Sequence, residues 1–424
     1  MGNSGKIIIN KKGAALITVY MVIAVLLAFG GFVVDVSNSQ NKTVDAFKKQ
    51  AQVINIAEAG LDRALFWMRA QGTIPSVTII NDPAIGYSVT ITKLDPLAGN
   101  PSIIRYKVES TGTIGAVSQT VINYLQTDNY ARYIWFTDNE SYGGANVWFW
   151  DQDHLNGPTH TNGHFNIKGE PIFGGEVRSV DSYLRYYNNG NNINSSNLSN
   201  PPYDLPDFQD TVTLGSVSIN MPAQALNLRA ASIVGGLRLT GNSTILLKSD
   251  GTMNVTNSAK GWSNYNMPLP VNGALFVKNG TLNISGTLNG RLTAGASGDI
   301  VIPNNIIYAN DPRVNPASTD TLGLISEGDV MISKNAPDNL EIDASIMALG
   351  TSFMLDEWWK NGARGTLSVF GGIIQDQRGP VGTFSGTTKI SGYSKDYNYD
   401  VRLLTSPPPF VPTTEDYITL TWEN

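Results

Sequence analysis

The sequence predicts an α+β chain: a long N-terminal helix on a small antiparallel sheet, then a large all-β domain. Three observations carry this. An uncharged apolar run, Ala14 to Val34, passes without a proline before Pro75 into a one-sided apolar pattern. Four segments of alternating apolar and polar residues follow. From about Asn129 onward, short strands punctuated by glycine take over. With 42 Gly and only 15% charged residues among 424, the composition argues against a chain built of long helices and for short strands with tight turns. The length suits two or three domains at about 150 residues each.

Residues 14–34 match the roughly 20 apolar residues that cross a bilayer. Lys6, Lys11 and Lys12 precede the run and Asp35 follows it, so the positive-inside bias keeps the N-terminus in the cytoplasm and sends the rest across. A cleaved secretory signal, with Ala28-Phe29-Gly30 as its site, is the competing reading; the run exceeds the roughly 7–15-residue core of such signals. Val44, Phe47, Ala51, Ile54, Ala57, Leu61, Leu65 and Met68 then recur every three or four residues, and Gly72 supplies a stop. One helix over 14–72 would be on the order of 85 Å long. Its amphipathic half requires a partner.

Residues 73–126 offer one. Ser76–Ile80, Gly86–Leu94, Ile103–Ser110 and Val117–Leu125 alternate as half-buried strands do, and Asn81-Asp82-Pro83, Asp95-Pro96 and Thr113–Gly115 turn between them. Residues 129–412 repeat a unit of Gly, polar, apolar, polar, apolar: Gly163–Ile167, Gly280–Ile284, Gly298–Ile302, Gly328–Ile332 and Gly365–Val369. Such units suggest the stacked coils of a β-solenoid, without an assignable period; a β-sandwich with insertions is the alternative. Asn188 to Pro206 reads as an exposed loop, and Ser406 to Pro412 as an extended polyproline segment. Residues 413–424 form a last strand or tail.

The net charge of −6 disfavours nucleic acid as a partner, and the absence of cysteine excludes disulfides, thiol catalysis and iron–sulfur clusters. His154, His160 and His164 lack the His-Glu-x-x-His pattern and the helix it needs. Asp151, Asp153, Asn156 and Gly157 only partly follow a calcium loop, and turn formation is the favoured role. Asp299, Asp329, Glu341 and Asp343 are the acids a polysaccharide-active enzyme could use, but a single Asp after Gly is more often a turn former. No enzyme activity, metal or cofactor is expected. Two aromatic groups, Trp148-Phe149-Trp150 and Trp358-Trp359, remain as candidates for surface binding. Trp148, Trp150, Trp358 and Trp359 can stack on a sugar ring or anchor a protein contact, against the plainer role of closing the ends of the core.

The N-terminus resembles that of type IV pilin-like proteins, in particular the PilX-type minor pilins. Lys11-Lys12-Gly13 before Ala14-Ala15-Leu16-Ile17 and the later Ala57-Glu58-Ala59-Gly60-Leu61 carry the resemblance. Stretches of the β-rich region, Gly157–Gly163, Gly328-Asp329-Val330 and Asp400–Leu404 leading to Pro407-Pro408-Pro409, look like the outer domains attached to such N-termini. The resemblance implies a leader over 1–13, prepilin-peptidase cleavage after Gly13 and Ala14 as the mature N-terminus. The glutamate usual at the fifth mature position is Thr18 here, which suits a tip subunit with no subunit above it. It further implies a non-catalytic minor or tip subunit of a pilus-like filament or secretion pseudopilus. The implied partners are other pilin or pseudopilin subunits, an inner-membrane assembly platform and the peptidase. Its precursor would sit in the cytoplasmic membrane and its mature form at the cell surface. A surface adhesin that holds a glycan or protein ligand is the alternative.

Overall fold

The computed structural model describes residues 11–97, 99–200, 202–360, 362–385 and 388–423. Most of the expected leader, residues 1–10, lies outside the described residues. The chain forms two compact units: one holds the chain up to Lys93, Lys107–Tyr124 and the segment from Leu420, the other Leu94–Tyr106 and Leu125–Thr419.

In the first unit, helix α1 runs unbroken over Lys11–Arg69. Every described side chain from Ala15 to Gln52 is exposed, including Leu16, Ile17, Phe29 and Phe32. Beyond that, Val53, Ala57, Leu61, Ala64 and Met68 are 0–3% exposed. The sheet follows the order β1 (Val77–Asp82), β2 (Tyr87–Lys93), β3 (Arg105–Ile114), β4 (Val117–Asn129) and the C-terminal strand Thr413–Glu423. β1 and β2 pair antiparallel from Val77↔Thr92 to Asp82↔Tyr87. Two glycines set how closely helix and sheet approach. A Cβ at Gly112 would lie 2.1 Å from the Val53 carbonyl oxygen, and one at Gly60 would strike Ser110 and Val89. The Ala57–Leu61 motif is thus a packing face of small residues, which admits the strands against the helix backbone. The expected stripe is shorter than its periodicity: Val44 and Phe47 remain 48% and 67% exposed, because the sheet covers only the last turns of α1.

The second unit is a β-solenoid of parallel-paired coils. One stack runs through the inward positions Leu237, Leu275, Ala294, Leu324, Ile346, Ile373, Trp135, Thr159, Val177 and Val212. A second aligns Leu282, Ile300, Val330 and Phe353, so three of the repeated glycine units, Gly280–Ile284, Gly298–Ile302 and Gly328–Ile332, are successive coils of one face. A third aligns Ile306, Ile342, Val369, Tyr397, Leu155, Phe173 and Phe208. From Leu275 to Ile373 the inward positions lie 19, 30, 22 and 27 residues apart, so the coils differ in length and the sequence carries no period.

The order of the stack is not the order of the chain. Coils from the N-terminal part (Trp135 to Val212) sit on the last C-terminal coil through Ile373↔Trp135 and Tyr397↔Leu155, while the two ends of the solenoid come from mid-sequence. Residues 215–236 must therefore return along ten stacked strands, about 43 Å at 4.8 Å per strand, well within the reach of 22 extended residues. This strap bonds as it goes: Ser216 to Ser179, Ile219 to Asn162, Asn220 to Tyr130, and Ala225 to Glu327. With Pro408, Pro409 and Phe410 it covers the outward row Phe276, Ile325, Met347, Ile374 and Phe136, which forms its own core cluster. That cover explains why strands such as Thr321–Ser326 are buried on both faces. The loop expected from Asn188 to Pro206 is exposed for most of its length but contains a strand, Ile193–Ser195, paired antiparallel with Leu184–Tyr186.

Candidate functional site

At the seam between C-terminal and N-terminal coils, the first and third stacks pair without interruption. The second does not. Leu355 donates its N–H to Pro380 on one side, Phe149 bonds Asn166 on the other, and among the described residues no backbone bond joins the two. Instead Gly382–Ser385 turns away to pair antiparallel with Thr388–Tyr399. A cleft of about 370 Å³ opens there, lined by Trp148, Trp150, Trp358, Phe384, Lys168 and Arg378 among others.

Its walls are aromatic. Trp150 stacks on Phe384 at 4.4 Å, and Trp148 meets Tyr187 edge-on at 5.5 Å. Trp358 packs edge-on to Trp359, and its buried indole N–H meets no acceptor among the described residues. Three of the four tryptophans singled out in the sequence thus converge on this cleft, although their two groups are some 200 residues apart. Trp148 and Trp150 share a side because they alternate with Phe149, which points into the core. Trp359 is 60% exposed and does not line it.

Its floor is charged and nearly dry. Arg378, 1% exposed, donates to Glu140 Oε2 at 3.1 Å and to the carbonyls of Val147 and Trp148 at 3.2 and 3.0 Å. Its guanidinium lies 3.6 Å from the centre of the Phe149 ring, a cation–π contact in a desolvated setting. Glu140 also accepts from Trp135 Nε1 at 2.9 Å and from the Thr137 hydroxyl. Asp153 accepts from Lys395 Nζ at 2.6 Å and from the Trp150 N–H at 3.1 Å. Burial pushes the Lys395 ammonium below its ordinary value, against the pull of Asp153. Lys168 stands apart: its ammonium lies 4.7 Å over the Tyr187 ring, and the described residues give it no carboxylate. Arg378 and Phe384 carry no signal in the sequence, being a lone arginine and an isolated phenylalanine in Gly-rich surroundings.

The other candidates are spread over the solenoid. His160 is buried in the outward row, stacked on Phe136 at 5.0 Å, and burial pushes it down to about 4. His164 pairs with Asp181 at 2.8 Å. Asp151 accepts from the Glu170 N–H, and Asn156 donates to Asn398. Asp299 accepts from the N–H of Asp329, and Asp329 from that of Ser352, each capping the next coil at one corner. Asp343 lies in the third stack, where it accepts from the Tyr308 N–H at 3.0 Å, and Glu341 pairs with Arg313 at 2.9 Å. No group of three or more metal-ligating side chains occurs among the described residues. Asp299 and Asp329 thus bond backbone, while Glu341 and Asp343 share Arg313 at 2.9 and 3.4 Å.

Comparison with known proteins gives two findings. A family described as a domain of unknown function (DUF4900) matches residues 102–181. The crystal structure of the competence-associated pilin ComZ from Thermus thermophilus is similar over 88% of this chain and 97% of its own, at 13% identity and a TM-score of 0.37. No curated protein matches the sequence.

Proposed function

We propose that this chain is a non-catalytic minor or tip subunit of a type IV pilus-like filament or related pseudopilus, of PilX type. The observation that carries the reading is the bare helix: the apolar stretch of α1 is wholly exposed, while the last turns alone are packed on a sheet. Apolar surface of that extent belongs in a bilayer or against like helices in a filament core. Residues 14–34 serve first as the membrane span of the precursor, with the β-rich body on the far side. Prepilin peptidase cleaves after Gly13, and Ala14 becomes the N-terminus that enters the assembly platform and packs beside other pilin subunits. Thr18 in place of the usual glutamate suits a subunit used at the tip. The solenoid is too bulky to repeat along a thin fibre, which agrees with low copy number.

Mass spectrometry of the protein extracted from membranes tests this. A mature N-terminus at Ala14, especially a methylated one, is expected. Cleavage near Gly30 or an intact Met1 would overturn the pilin reading in favour of a secreted or simply anchored β protein. A second reading, an adhesin, is compatible with the first and is favoured by the aromatic cleft.

A further inference from the structure

The cleft at the seam is costly to maintain. It interrupts one face of the solenoid, leaves an indole N–H without an acceptor among the described residues, and requires a buried arginine to bridge Glu140 and two carbonyls where backbone pairing would suffice. A seam needed only for stability would be closed by strand pairing, as the other two stacks are.

Its lining defines what fits. The aromatic walls, Trp148 on one part and Phe384 on another, the latter backed by the buried Trp150 stacked on it, offer flat faces to a ring bearing axial C–H groups. The volume, about 370 Å³, lies at the small end of ligand sites, sized for one ring and its substituents. The charges do not cancel: Lys168, Arg378 and Lys395 stand against Glu140 and Asp153. Arg378 and Lys395 are held by those carboxylates, so among the described residues the cation of this lining without a carboxylate is Lys168. A flat apolar platform beside an ammonium that no described carboxylate holds fits a sugar ring bearing a carboxylate. An aromatic peptide side chain would use the walls and leave Lys168 unanswered.

We propose that this cleft binds a carboxylated sugar unit of a surface or matrix glycan, its ring against Trp148 and Phe384 and its carboxylate on Lys168. The proposal rests on the reading that the solenoid is displayed outside the cell, but binding is measured on the purified full chain and does not depend on how that chain was processed. The test is titration of the detergent-solubilised protein, followed by tryptophan fluorescence and calorimetry. The probes are oligosaccharides containing uronic or nonulosonic acids and the same chains after carboxyl reduction.

Binding of an acidic glycan at least tenfold tighter than its reduced counterpart is expected. Lys168→Gln should abolish that preference, Trp148→Ala should weaken binding at least tenfold, and Trp359→Ala should change neither. Lys168→Gln alters an ammonium outside the core, so it decides the matter if Trp148→Ala fails to fold. Equal affinity for acidic and reduced glycans, an undiminished preference in Lys168→Gln, or no binding by any probe up to about 1 mM would overturn the proposal. So would capture of aromatic peptides by the same cleft with no glycan binding. None of these outcomes bears on cleavage at Ala14, which is read separately.

Discussion

A guanidinium with 1% exposure has to be neutralised where it stands, and Arg378 is neutralised by Glu140. Substituting Glu140→Gln keeps the shape and removes the charge, so Arg378 would be left with carbonyls and an Asp153 oxygen at 3.6 Å that Lys395 already occupies. Unfolding in denaturant should show a loss of about 3 kcal/mol, the low end for one half of a buried pair. A loss below about 1 kcal/mol would mean that water or Asp153 compensates Arg378. Asp343 presents the opposite case. Burial pushes its carboxyl up to about 7, with the Tyr308 N–H and Arg313 opposing. The folded chain therefore holds this proton more tightly than the unfolded chain, whose value stays near 3.8. Its contribution to stability is full below the unfolded value and is lost as pH rises through 7. Asp343→Asn retains an acceptor for Tyr308 without the buried charge. It should stabilise the solenoid by about 1–2 kcal/mol at pH 8 and leave it unchanged near pH 4. Thermal melts at both pH values check this; equal effects at the two would rule out the titration.

Elements were legible in the sequence wherever a local pattern carried them. The helix was, since its apolar run and its stripe are both periodic, and so were the glycine units. A Cβ at Gly298 would lie 2.9 Å from the Gly280 carbonyl oxygen, one at Gly328 3.2 Å from the Gly298 carbonyl carbon, and one at Gly350 2.7 Å from the Gly328 Cα, a column that admits no side chain. What could not be read was anything set by residues far apart. The strap over 215–236 has no periodicity because it follows the side of the stack and not its coils. The cleft joins Trp148 to Trp358 through pairings that no short pattern announces, although the aromatic runs themselves are plain in the sequence. The close approach of helix and sheet, by contrast, depends on two positions, Gly60 and Gly112. A side chain at Gly112 would meet the backbone of Val53 and Ala57, which cannot move aside without breaking the helix. Gly112→Val should therefore release the last turns of α1, seen as faster amide exchange over Val53–Met68, whereas unchanged protection there would show that the contact is slack.

On the scale of the whole solenoid, chain order and stack order disagree, and that has a kinetic consequence. Coils between Leu237 and Ile373 add one after another, each closing a loop of a few tens of residues. Trp135 precedes them in sequence but pairs with Ile373, and Leu155 pairs with Tyr397, so the N-terminal coils have no complete surface to stack on until the C-terminal coil exists. Coils of a solenoid gain most of their stability from neighbours, and distant pairings close slowly. The strap can settle only once both groups of coils are in place, since it bonds Asn162 at one part of its course and Glu327 at another. Pulse-labelled amide exchange during refolding should therefore show protection first over Ala274–Ile374, later over Trp135–Thr161, and last at Ile219 and Ala225. Early protection of Trp135–Thr161 would mean that the N-terminal coils form a nucleus of their own, and that the seam carrying the cleft is a docking surface between two preformed halves.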